Sequence, residues 1–116
     1  MNINKANTIL YCKLWQETVA FYKTRLKLPV TFSNDWFVEF QLNETARLSI
    51  ANEARASIVS GGGKGITVSL KVDDIAATHA DLKDAGLNPT DIKELWGSKV
   101  TYVYDPEGHR LEFWSE

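Results

Sequence analysis

Cysteine is nearly absent from this chain. Cys12 is the single example, so no internal disulfide forms and a reducing, cytoplasmic setting is expected. Long apolar runs are missing too. Nothing approaches the ~20 residues of a membrane-spanning helix, and no basic-then-apolar leader opens the sequence, so neither export nor a membrane partner is expected. Charge of one sign is not concentrated anywhere: 13 Lys and Arg intermingle with 15 Asp and Glu for a net charge of -2, which leaves no electrostatic footprint for nucleic acid. Histidine is scarce, with only His79 and His109. What is present, 44% apolar and 24% charged residues in a chain of 116, is the composition of one ordinary globular domain.

The hydrophobic pattern runs through one order of elements and then repeats it. Ile9 to Cys12 reads as a strand. Trp15, Val19, Tyr22 and Leu26 recur at helical spacing up to Pro29. Val30 to Ser33, Trp36 to Leu42 and Arg47 to Ala51 follow as extended segments separated by polar turns. After a stretch without period, Ile66, Val68, Leu70 and Val72 alternate with polar residues as a two-faced strand. Asp73 or Asp74 suits a helix N-cap, Ile75, His79 and Leu82 line one side of the helix, and Gly86 suits its end. Three more extended segments, Asn88 to Leu95, Lys99 to Tyr104 and Arg110 to Trp114, complete the chain. The reading is one domain of two βαβββ modules, about 5-52 and about 65-116, joined by a linker at about 53-64. The linker contains Gly61-Gly62-Gly63 and reads as a mobile loop. A phosphate cradle is excluded because Lys64 is followed by Gly65 and a strand rather than by Ser or Thr and a helix.

Near the end, Asp105-Pro106-Glu107-Gly108 has reverse-turn chemistry, and Arg110-Leu111-Glu112-Phe113-Trp114 then alternates between two faces. A module of this kind covers one sheet face with its helix. The apolar positions Leu10, Leu48, Ile50, Val68, Leu70, Leu111 and Phe113 belong on that face, and Cys12 with them as a small buried residue. The opposite face collects Asn7, Ile9 and Tyr11; Arg47, Ser49 and Ala51; Thr67, Ser69 and Lys71; and Arg110, Glu112 and Trp114. Polar groups among aromatics suit a small-molecule pocket, and equally a plain solvated sheet.

The paired modules, the runs Ala20-Phe21-Tyr22 and Leu26-Lys27-Leu28, the step Val72-Asp73-Asp74-Ile75, and above all Asp105-Pro106-Glu107-Gly108-His109-Arg110-Leu111-Glu112 resemble the glyoxalase, bleomycin-resistance and extradiol dioxygenase superfamily, the vicinal oxygen chelate proteins. The resemblance covers nearly the whole chain. It implies an α+β fold in which the two modules form a curved mixed sheet around a cleft, with helices on the outer face. It also implies a homodimer, and in the metal-dependent members a divalent ion held from the first and last strands of each module. Carried onto this sequence, those ligand positions are Asn7, Ser49, Thr67 and Glu112. Only Glu112 is an ordinary ligand for such an ion, so no metal and no cofactor are expected.

The expected function is therefore metal-free binding of a drug-like or aromatic small molecule in a cleft. The alternative implied by the same resemblance is a metal-dependent lyase, isomerase or dioxygenase, and a protein-binding sheet face is a third reading. Expected ligand contacts are Asn7, Tyr11, Arg47, Ser49, Thr67, Ser69, Trp96, Tyr102, Arg110, Glu112 and Trp114. Glu112 has three roles open to it: an ion pair with Arg47 or Arg110, an anchor for a basic or hydroxylated ligand, or a general base, which makes it the one candidate catalytic residue. Trp36, Trp96, Tyr102 and Tyr104 are candidate cleft walls that fit a core or a dimer interface equally well. His79 reads as a packing residue or a helix-to-sheet bridge, and His109 is out of phase with Glu112.

Overall fold

The computed structural model describes all of residues 1–116. The architecture is α+β, with two four-stranded mixed sheets that divide between unit 1, Met1–Gly62, and unit 2, Gly63–Glu116. Unit 1 runs β1 (Ala6–Cys12), α1 (Trp15–Ala20), a π-helical turn (Phe21–Arg25), β2 (Val30–Ser33), β3 (Phe37–Gln41) and β4 (Ala46–Asn52). Unit 2 runs β5 (Thr67–Lys71), α2 (Ile75–Asp84), β6 (Lys93–Leu95), β7 (Ser98–Tyr104) and β8 (Arg110–Ser115). The sheet orders are β1-β4-β3-β2 and β5-β8-β7-β6. In both, the first and last strands pair in parallel and the remaining pairs are antiparallel. The repeated βαβββ order is thus a repeated topology. No helix is long and apolar enough to cross a membrane.

In unit 1 the core is Leu10, Cys12, Phe21, Tyr22, Val38, Phe40, Leu48 and Ile50, all buried. Tyr22 lies edge-on to Phe21 at 5.0 Å and 6.0 Å from the Phe40 ring. The first helix departs from the spacing expected of it. After Ala20 it widens, so that the Leu26 N–H bonds Phe21 O at 3.0 Å, five residues back instead of four. The extra residue per turn brings the adjacent Phe21 and Tyr22 both into the core. Thr18, a polar residue outside the expected stripe, is also fully buried, its hydroxyl satisfied by Leu14 O at 2.6 Å.

In unit 2 the second helix begins and ends as its sequence dictates. Asp74 accepts the Ala77 N–H at 3.1 Å, and Gly86 takes φ 78°. Paired bonds, Leu87 N–H to Leu82 O at 3.1 Å and Gly86 N–H to Lys83 O at 2.9 Å, then close a Schellman motif. Ile75 and Leu82 are buried, as are Val103, Leu111 and Phe113, while Val68 and Leu70 are only half-buried. His79 Nε2 lies 3.1 Å from Thr90 O and ties α2 to the segment entering the sheet. The extended run expected from Asn88 shrinks to Lys93–Leu95. Asn88 takes φ 49°, which breaks an extended path, and the Thr90 carbonyl is held by the Thr101 hydroxyl at 2.6 Å instead of joining a ladder.

The segment expected as a mobile linker has a bonded start. The Glu53 N–H donates to Cys12 O at 3.0 Å, and the Glu53 carboxylate accepts the Ser60 N–H at 2.9 Å.

Candidate functional site

Each unit leaves one sheet face to the polar and aromatic residues picked out by strand alternation, and the ladder register fixes which of them are neighbours. In unit 1, Asn7 stands opposite Arg47, Ile9 opposite Ser49, and Glu39 on β3 opposite Ser49. In unit 2, Thr67 stands opposite Arg110, Ser69 opposite Glu112, and Tyr102 on β7 opposite Glu112. Register makes Asn7 the counterpart of Thr67, Arg47 of Arg110, Ser49 of Glu112 and Glu39 of Tyr102.

The unit 1 face is a closed hydrogen-bond network. Ser49 is fully buried and donates to Asn7 Oδ1 at 2.8 Å, and Asn7 Nδ2 reaches Glu39 Oε2 at 3.5 Å. Thr31 donates to Glu39 Oε1 at 2.8 Å. Arg47, expected to be open to ligand or to pair with Glu112, is instead buried. Its Nη1 folds back onto the Asn43 and Ala46 carbonyls at 2.8 and 3.1 Å, and its Nε lies 4.0 Å from Glu39 Oε1 with no hydrogen bond of its own. Ala51, beside the half-buried Tyr11, is fully buried. Glu39 is the functional-face residue that sequence reasoning missed. The signal was available, because Val38 and Phe40 are apolar and Phe37, Glu39 and Gln41 must then share the other face.

The unit 2 face is concave. A hollow of about 430 Å³ is lined by Ser69, Leu95, Trp96, Ser98, Val100, Tyr102, Glu112 and Trp114. It gathers the expected residues Ser69, Trp96, Tyr102, Glu112 and Trp114, and adds Leu95, Ser98 and Val100. Glu112 is half-buried and accepts the Ser69 hydroxyl at 2.5 Å. Arg110, expected as its ion-pair partner, instead donates from Nε to Thr67 at 2.9 Å and lies over the Tyr102 ring at 4.5 Å. Lys71 lies over Trp114 at 5.1 Å and binds Glu116 at 2.9 Å, which holds that exposed carboxyl below the usual glutamate range. The cleft-wall candidates separate. Tyr102 lines the hollow, Tyr104 is exposed, and Trp36 packs edge-on against Phe37 at 5.6 Å.

Trp96 is unusual. It is fully exposed at φ 54°, followed by Gly97 at φ 79°, in the two-residue turn closed by the Leu95–Ser98 pair. Positive φ at both central positions is the twist a tight hairpin wants, but Asn or Gly is the residue that adopts it freely. Trp96→Asn is expected to stabilise the fold by about 1 kcal/mol in urea denaturation, by relieving left-handed strain without removing buried surface.

The residues at the metal positions of the superfamily do not fit a divalent cation. The Asn7 amide oxygen is engaged by Ser49, Thr67 Oγ1 accepts from the Arg110 guanidinium, and Glu112 is engaged by Ser69. A guanidinium at the Thr67 position repels a second cation, and amide and hydroxyl oxygens are weak ligands for one. Nowhere are three His, Cys, Asp or Glu side chains grouped to hold a metal.

Fold and motif together define the class. Residues 5–113 match the model of the Glyoxalase/Bleomycin resistance protein/Dioxygenase superfamily, and the chain belongs to that family. It is 28% identical to the uncharacterized protein YraH of Bacillus subtilis (strain 168), over 86% of this chain and 88% of that one. It also shares its fold with lactoylglutathione lyase from Agrobacterium tumefaciens, at TM-score 0.77, 17% identity and coverage of 95% and 91%. A bleomycin resistance determinant encoded on the transposon Tn5 superposes at TM-score 0.75, 20% identity and 97% of both chains. The fold is thus shared by a lyase and by a resistance determinant, and what distinguishes this chain is its own side chains.

Proposed function

We propose that this protein binds a drug-like or aromatic small molecule without a resident metal, on the open face of its second sheet. The observation that carries the reading is the hollow beside Glu112, in which Trp96, Tyr102 and Trp114 provide apolar walls and Ser69 and Glu112 provide a polar floor. A volume of about 430 Å³ suits a ligand of drug size. The same proposal includes a symmetric homodimer, supported by the exposed Val30 and Phe32 on the edge strand β2. It also includes a cytoplasmic setting, supported by the single buried thiol of Cys12.

A thermal-shift screen of aromatic antibiotics, glutathione conjugates and divalent metals tests it. A ligand present at about 100 times its dissociation constant should add about 2.7 kcal/mol of apparent stability. Stabilisation by organic compounds and not by metals is the expected result. Stabilisation by a divalent metal alone would favour a lyase, isomerase or dioxygenase.

A further inference from the structure

We infer that the hollow on the second sheet selects an organic cation, a protonated amine or quaternary ammonium carried on an apolar or aromatic body. The inference rests on the small-molecule reading above and names its ligand class.

Charge supplies the first argument. Of the residues lining the hollow, Glu112 alone is an acidic or basic residue; the others are Ser69, Leu95, Trp96, Ser98, Val100, Tyr102 and Trp114. Ser69 satisfies one acceptor site of the carboxylate, and a carboxylate has about four. The cations nearest in register, Arg110 and Lys71, bond Thr67 and Glu116 and lie against the Tyr102 and Trp114 rings, and neither hydrogen-bonds Glu112. A ligand ammonium therefore meets a carboxylate with spare capacity on the floor of the hollow, whereas a ligand carboxylate or phosphate at that position meets repulsion from Glu112.

The walls supply the second. Trp and Tyr faces attract cations through the ring quadrupole, Trp most strongly. The protein's own cations already occupy one face of two of these rings, with Arg110 over Tyr102 at 4.5 Å and Lys71 over Trp114 at 5.1 Å, which leaves Trp96 as the uncovered aromatic. Trp96 offers an indole that no side chain of the protein covers, and it is held there at φ 54° where a smaller residue would rest more easily. Strain at the rim of the hollow, on a side chain that buries no surface, supports a binding role for Trp96.

Three probes with one phenyl body isolate the charge: 2-phenylethylamine, 2-phenylethanol and phenylacetate, titrated at neutral pH by NMR of the tryptophan indole signals. The amine should bind at least tenfold tighter than the alcohol or the carboxylate. Glu112→Gln should reduce amine affinity about tenfold while leaving the alcohol unchanged. Equal affinities, a preference for the carboxylate, or an amine preference that survives Glu112→Gln would overturn the inference while leaving the small-molecule reading in place. Failure of the amine to bind would also overturn it, and the wider screen then decides whether the parent reading falls as well. The ranking on unmodified protein does not depend on how the variant folds.

Discussion

Asp105→Ala is expected to cost about 3–5 kcal/mol, a large share of the stability of a domain this size. The carboxylate is 4% exposed, and one oxygen, Oδ1, accepts three backbone N–H groups: Glu107 at 3.0 Å, Gly108 at 2.9 Å and His109 at 2.9 Å. The other oxygen meets His109 Nδ1 at 2.8 Å, and His109 is itself 2% exposed. Alanine would strand the buried His109 N–H and imidazole together with the part-buried Glu107 N–H, while the Gly108 N–H keeps the Asp105 carbonyl at 3.0 Å. An orphaned buried donor costs about 1–3 kcal/mol before relaxation. Asp105→Asn keeps one acceptor oxygen of the same shape and should lose clearly less. Urea denaturation of both variants checks the ordering. A loss below about 1 kcal/mol for the alanine variant would mean that Pro106 and Gly108 hold the turn unaided. The consequence reaches the site, because this turn delivers β8 into its register and with it Arg110, Glu112 and Trp114.

The second large effect is expected at Gly63. It takes φ 80°, and a Cβ placed on it would lie 2.2 Å from Gly108 C, 2.3 Å from Gly108 O and 2.5 Å from His109 N. The obstruction is backbone, and it is the backbone of the turn that Asp105 holds. Gly63→Ala should therefore cost more than the about 1–2 kcal/mol of left-handed strain alone, because one of the two strands of chain must move. Its neighbours provide the controls. Gly62 has φ 67° but open space, so Gly62→Ala should cost only the strain. Gly61 has open space and no positive φ, so Gly61→Ala should be neutral or slightly stabilising. Equal effects at all three would show that the run acts through flexibility alone.

How much of this was legible in the sequence depended on whether a residue's role was local. The duplicated βαβββ order, the Asp74 cap, the Gly86 stop and the Asp105 turn all rest on chemistry within a few positions, and the structure carries each of them. The open-face residues of β8 were legible because period-two alternation admits only two faces. The misses come from longer range. Widening of the first helix after Ala20 depends on fitting both Phe21 and Tyr22 against Phe40, which no spacing rule contains. Burial of Arg47 depends on its reaching back to the Asn43 and Ala46 carbonyls. Glu39 is the exception, legible from the alternation of β3 but outside the first and last strands on which the superfamily pattern rests. Gly63 read as loose chain because its close neighbour, Gly108, lies far along the sequence.

The central claim is that the second sheet presents a ligand site built of aromatic walls and one carboxylate, with no resident ion. Elemental analysis of protein purified without chelator from metal-supplemented cells tests it most directly. The account predicts divalent metal far below one ion per chain, unchanged by Glu112→Gln. Near-stoichiometric metal that disappears in Glu112→Gln would contradict it.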